Sequence, residues 1–311
     1  MLKSTHKFRA AAWLGIFALA LGGAVGFAIT SPSAVGGQLP PHKADLANGE
    51  AAFNAGGCAS CHTTPDQPER LLLGGGLAIH SPFGTFYAPN ISPDSEDGIG
   101  GWSERDFVTA MTKGTSPKGQ HYYPAFPYAS YQHASISDLR DMFAYLKTLP
   151  AASGKVRDHD LGFPFNIRRA VGVWKALHLG SDDAALTKPS ADAKINRGAY
   201  LVNGLGHCAE CHSPRDTLGG IVAGQRLAGG PNPEGEGWVP NITRKGLKDW
   251  SESDIAHFLK TGETPDGDTT GGSMVRVVRN TARLSDADRA AIAAYLKSLP
   301  AVEGPARPKR S

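Results

Sequence analysis

All four cysteines of the chain fall in one pattern, Cys-x-x-Cys-His, used twice as Cys58-Ala-Ser-Cys61-His62 and Cys208-Ala-Glu-Cys211-His212. Two thiols about one helical turn apart can reach the two vinyl groups on one edge of a haem, and the histidine that follows can turn under the ring to ligate iron. Three other chemistries use paired cysteines: a thioredoxin-like redox pair, a zinc site and structural disulfides. A redox pair has no need of histidine at the next position in both copies, and the two motifs lie too far apart for an ordinary zinc ribbon. The pattern therefore predicts two covalently bound haem c groups, held through Cys58, Cys61, Cys208 and Cys211. His62 and His212 would sit on iron, and no cysteine would remain for a disulfide.

What must position these groups is a frame that also occurs twice. Around each motif the same landmarks follow in the same order, from about Asn48 to Pro150 and again from about Asn196 to Pro300. A short amphipathic helix is expected from Ala44 to Ala55 and from Ala193 to Leu205, each closed by glycine. After the cysteine motif come Pro89-Asn90-Ile91-Ser92 and Pro240-Asn241-Ile242-Thr243. A further helix opens at Trp102-Ser103 and at Trp250-Ser251, where the serine precedes Asp106 or Asp254 by three residues and reads as an N-cap. Closing helices are expected from Ser135 to Leu149 and from Ser285 to Leu299, each stopped by proline. The fold class expected is all-α, with two tandem haem domains and no strand pattern in competition.

The bulk composition agrees with such a frame. At 311 residues the chain suits two domains, and 38 glycines with 22 prolines demand many loops around a core that is still 41% apolar by residue. A large apolar cofactor would fill what the loops leave. Net charge is only +3, with no basic run in the body, so nucleic acid is not expected as a partner. Lys3, Lys7 and Arg9 precede an uncharged, mostly apolar stretch from Ala10 to Thr30, so residues 1–35 read as an export signal or inner-membrane anchor helix. A span needs roughly 20 residues, which favours an uncleaved anchor, although a small-x-small cleavage site can be drawn around Ser31 to Ala34. The domains expected are 42–152 and 191–303, joined by a linker 153–190 in which Asn166 to Leu179 forms an amphipathic helix packed across both.

Several segments of the first repeat carry a resemblance: Ser81-Pro82-Phe83-Gly84-Thr85, Asn90-Ile91-Ser92-Pro93, Gly100-Gly101-Trp102-Ser103 and Tyr123-Pro124-Ala125-Phe126-Pro127-Tyr128. With the two motifs they make the chain resemble the class I cytochrome c fold in tandem. The likeness is greatest to the multi-haem cytochrome c subunits of membrane-bound bacterial dehydrogenases for alcohols, aldehydes and sugar acids. Those subunits typically carry three haems, whereas this chain has two motifs. The resemblance implies a methionine as second axial ligand, in a loop about 25 residues before the closing Leu-Pro, and Met274 stands there. Met111 and Met142 match Leu259 and Ile292 of the other copy and read as core. The position matching Met274 in the first repeat is Phe126, where related subunits often have methionine. The first iron would then be five-coordinate or take another side chain, with His121 the nearest candidate and His80 and His133 weaker ones.

The function expected is single-electron transfer on the periplasmic side of a bacterial inner membrane. Electrons would come from a periplasmic dehydrogenase subunit and go to a downstream oxidase or cytochrome of the respiratory chain. The alternative is a dihaem enzyme, a peroxidase or thiosulfate dehydrogenase, working at the first haem. A carrier or subunit is preferred over a catalytic chain because the Tyr122 to Tyr128 run is aromatic and proline-rich rather than acid–base in character.

Overall fold

The computed structural model describes residues 2–180 and 189–307, so residues 181–188 of the expected linker lie outside the described residues. Helix α1 runs Leu2–Ile29, and its side chains from Trp13 to Ile29 are exposed. Among the described residues no helix is long and apolar enough to cross a membrane, so the expected membrane anchor finds no support in the structure.

The first haem-type domain is built from α2 (Leu46–Ala55), α3 (Cys58–His62), α4 (Glu104–Lys113), α5 (Tyr128–Tyr131) and α6 (Ile136–Leu146). Each start has a local cause. Asp45 caps α2 by accepting from the amides of Ala47 and Asn48. Ser103 and Asp106 form a reciprocal capping box on α4, and Ser135 caps α6 through the Asp138 amide. Helix α2 crosses α6 at Gly49, where a β-carbon would stand 2.2 Å from the Asp141 carbonyl oxygen. Only glycine allows that approach.

The second domain repeats the plan with α8 (Ala193–Tyr200), α9 (Ala209–His212), α10 (Glu252–Thr261), α11 (Ser273–Thr281) and α12 (Asp286–Ser298). Ser251 and Asp254 form the matching capping box, and Gly198 takes the place of Gly49 at the crossing of α8 and α12. Helix α8 continues as one wide π-type turn, Leu201–Leu205, so the helix expected from Ala193 to Leu205 is present but unwinds in its last five residues.

The all-helical expectation needs one correction. Strands β1 (Ala78–Ser81), β2 (Gly84–Tyr87) and β3 (Asp160–Leu161) form a small antiparallel sheet in the order β1-β2-β3, and β4 (Gly230–Pro231) pairs with β5 (Trp238–Val239). Strands of two to four residues are too short to leave a period-two signature. Gly84, at φ +126°, lies 2.3 Å from the Asp160 carbonyl as measured from an added β-carbon, so the sheet closes only over glycine.

Between the domains, α7 (Val171–His178) touches both. Its Lys175 ammonium donates to the carbonyls of Lys113 and Gly114 at 2.6 and 2.7 Å, and the Trp174 indole donates to the Leu218 carbonyl at 3.1 Å. The domains also meet directly and reciprocally. Ser130 of α5 donates to Glu210 of the second motif at 2.7 Å, while Asn280 of α11 donates to Ser60 of the first motif at 2.7 Å. Arg70 reinforces the seam by donating to the side-chain oxygens of Asn54 and Asn280.

Candidate functional site

The first Cys-x-x-Cys-His segment is a short helix, and in the second Cys208 is the N-cap of the helix Ala209–His212; each lies two or three residues beyond the first helical stretch of its domain. In the first site the His62 Nδ1–H donates to the Pro89 carbonyl at 2.8 Å; in the second the His212 Nδ1–H donates to the Pro240 carbonyl at the same distance. That bond fixes the tautomer and leaves Nε2 as the free, basic nitrogen of both rings. Burial lowers both histidines' pKa, which keeps them neutral and able to ligate.

The acceptor carbonyls are themselves held. Asn90 donates to the Ala152 carbonyl at 2.6 Å and accepts from the Ser92 amide; Asn241 donates to the Val302 carbonyl at 2.8 Å and accepts from the Thr243 amide. The repeated Pro-Asn-Ile segments are therefore staples from the loop behind the histidine to the end of each domain. Sequence reasoning found the repeat but not this role. A backbone carbonyl carries no residue signature.

No disulfide joins any of the four cysteines. Burial pushes Cys58 and Cys211 up to about 12 and Cys208 to about 11, and it raises Cys61 as well. A thioredoxin-like pair depends on the opposite shift, and a zinc site needs thiolates in a cluster. Among the described residues no group of three or more His, Cys, Asp and Glu side chains is placed to hold a metal ion. The surroundings are apolar instead. Cys58 packs against a cluster that includes Phe53, Leu73, Val108 and Met142, with Ile91 and Phe126 beside it; Cys208 packs against one that includes Leu201, Val202 and Leu227, with Ile242, Trp250 and Met274 beside it. Two protonated thiols, a neutral histidine with one nitrogen committed and an apolar cradle form a donor set that fits a covalently bound haem in each domain.

A sequence model of the cytochrome c family matches residues 46–150 and again residues 195–300. The chain belongs to the cytochrome c family. Over 292 residues the cytochrome is 49% identical to a "Diheme cytochrome c-type" of Cereibacter sphaeroides, covering 93% of this chain and 98% of that protein. It is 37% identical to "Alcohol dehydrogenase (quinone), cytochrome c subunit" of Gluconobacter oxydans, covering 83% of this chain and 55% of that protein. It is 35% identical to "Fructose dehydrogenase cytochrome subunit" of Gluconobacter japonicus, covering 84% of this chain and 54% of that protein. The cytochrome thus spans nearly all of the first relative and about half the length of each of the other two. It is an electron-transfer cytochrome with two covalently bound c-type haems.

The distal residues fall out unequally. Met274, at the start of α11, packs against the second cluster with Cys208 and Trp250. Phe126 packs against the first cluster with Cys58 and Trp102, and its ring meets Tyr122, Tyr128 and Tyr131 at 5.7, 6.1 and 5.8 Å between centroids. Met111 and Met142 are buried core residues.

His121 is not brought to this site. Its Nε2–H donates to the Thr30 carbonyl at 2.9 Å, and its backbone bridges to Thr115, so the ring turns toward the end of α1. The His121 side chain is thus engaged with the end of α1 rather than packed beside Phe126. His80 lies in β1 beside the Thr85 hydroxyl at 3.2 Å, and the His133 backbone lies against Gly204 in the seam.

Proposed function

We propose that this cytochrome takes single electrons from a periplasmic dehydrogenase and delivers them to an oxidase or another cytochrome of the respiratory chain. In this reading Cys58 and Cys61, and likewise Cys208 and Cys211, would attach the haems through thioether bonds, and His62 and His212 would hold the irons through Nε2. Met274 would help hold the haem of the second domain through its thioether sulfur, and Phe126, which cannot ligate iron, stands at the matching position of the first. When bound, each haem supplies an iron that alternates between the ferrous and ferric states, gaining or losing one electron. The chain's own part is to hold and shield. The Pro89 and Pro240 carbonyls orient the histidines, and the apolar cradles keep water out, which lowers the reorganisation that each electron transfer costs.

The observation that carries the reading is the pair of equivalent histidine–carbonyl contacts in two packed domains of one chain. The enzymatic alternative is weaker on chemical grounds. Around Phe126, burial pushes the Tyr122 hydroxyl up to about 12 and raises Tyr128 and Tyr131 above their ordinary values, so none of the three exchanges a proton near neutral pH. Export is part of the same proposal: the apolar side chains from Trp13 to Ile29 remain exposed, as an export or membrane-associating segment would leave them. The test is reduction of the purified two-haem protein by periplasmic dehydrogenases with their substrates, followed by reoxidation with washed membranes. Rapid reduction and reoxidation are expected. Failure of every dehydrogenase to reduce it, or catalytic turnover of peroxide or thiosulfate, would overturn the reading.

A further inference from the structure

The residue before the first cysteine differs between the two motifs. In the first it is Gly57, at φ 61°; in the second it is His207, which adopts φ 39°. Both are left-handed, a conformation that glycine adopts freely and an L side chain only with strain. The second domain therefore keeps a strained histidine where the first shows that glycine serves. Strain of this kind persists where the surroundings require the side chain.

The His207 ring leaves its own domain. Its Nε2–H donates to the Gly56 carbonyl at 3.2 Å, and a β-carbon on Gly57 would stand 3.9 Å from that nitrogen. The ring also meets the Tyr131 ring edge-on at 5.4 Å, and the Tyr131 hydroxyl donates to the same Gly56 carbonyl at 2.9 Å. Cys58 follows Gly56 by two residues, and Cys208 follows His207 directly. One hydrogen bond thus joins the backbone carrying the first attachment site to the backbone carrying the second. On either side of it the connection is covalent.

We propose that His207 is the bridge through which one electron passes between the two haem sites, its backbone strain being retained for that contact. One site is oxidised by one electron as the other is reduced by one; no bond forms or breaks and no proton moves. This rests on the electron-transfer reading of the chain and names the route inside it.

The test uses the full chain carrying both haems, beside His207→Gly, which restores the residue of the first motif, and His207→Asn, which tolerates left-handed backbone but shortens the side chain. A photoexcited ruthenium complex injects one electron, and equilibration between the haems is followed at their separate visible bands. Each haem's potential is measured independently by spectroelectrochemical titration. The expected result is equilibration slowed several-fold in both variants with the two potentials unmoved. Equilibration at the wild-type rate in either variant overturns the bridge. So does a slowed rate that comes with shifted potentials, because driving force then accounts for it. Should neither variant load both haems, His207 is an assembly residue and the proposal is lost. If wild-type protein itself shows no equilibration between its haems, the electron-carriage reading fails as well, which separates the two failures.

Discussion

Gly198→Ala tests the crossing that holds the second domain together. A β-carbon at position 198 would stand 1.9 Å from the Ala291 carbonyl oxygen and 2.7 Å from the Tyr295 β-carbon, against a practical floor of 3.0 Å. Both neighbours belong to the backbone or first carbon of α12, so no side chain can swing aside. The two helices must part by about 1 Å, which also loosens the contacts of buried Leu201, Val202 and Leu296. Overpacking of this kind costs about 1–3 kcal/mol, and a backbone clash belongs at the upper end. Replacing helical glycine by alanine returns about 1 kcal/mol of intrinsic preference. A net loss of about 2 kcal/mol corresponds to a fall of roughly 10 °C in the melting temperature of a domain near 100 residues. Differential scanning calorimetry of the two-haem protein measures it, with Gly49→Ala as the counterpart in the first domain. A Gly198→Ala protein that melts at or above the wild-type temperature would refute the crossing, since propensity alone would then be acting.

Three further outcomes are expected. Denatured protein should retain two haems in a pyridine haemochrome assay, and Cys208→Ser with Cys211→Ser should leave one; any other count contradicts the attachment sites. Met274→Ala should lower one reduction potential, abolish the thioether-to-iron absorption band and leave the other potential nearly unchanged, because axial ligand identity is a main determinant of potential. Acid sensitivity should trace partly to Asp141: burial alone would raise its carboxyl, but bonds from the Asp45 amide, Asn48 and His42 hold it below the ordinary value of 3.8. A carboxyl depressed in the folded state stabilises above its unfolded pKa and loses that contribution as pH falls through the folded one. Thermal melts between roughly pH 5 and pH 2 should therefore decline less steeply for Asp141→Asn than for wild type, and parallel curves would remove Asp141 from the account.

Much of the frame was legible because its causes are local. The capping serines at 103, 135, 251 and 285 mark helix starts that the structure keeps to within a residue. The cysteine motifs needed no fold to be read. The direction of the His121 side chain was not legible, for the reverse reason. His121 lies five residues before Phe126 in sequence, yet its bridge to Thr115 folds it back toward α1, and sequence distance carries no direction. The Pro89 and Pro240 carbonyls were invisible because the acting atom is common to all residues. The seam was invisible because its partners, Ser60 with Asn280 and Ser130 with Glu210, meet across 220 and 80 residues of chain.

That seam has a further meaning. The helix bearing the distal face of each domain rests on the cysteine motif of the other, so the contact is isologous, the form a homodimer adopts. The chain is in effect two such halves fused in one polypeptide, each resting on the other. Fusion frees the halves from identity: at matching positions of the two repeats stand Gly57 and His207, Phe126 and Met274, and Ser60 and Glu210. A symmetric dimer would place two like haems at the same potential. One chain holding two unlike halves can give the electron a downhill direction along its own length.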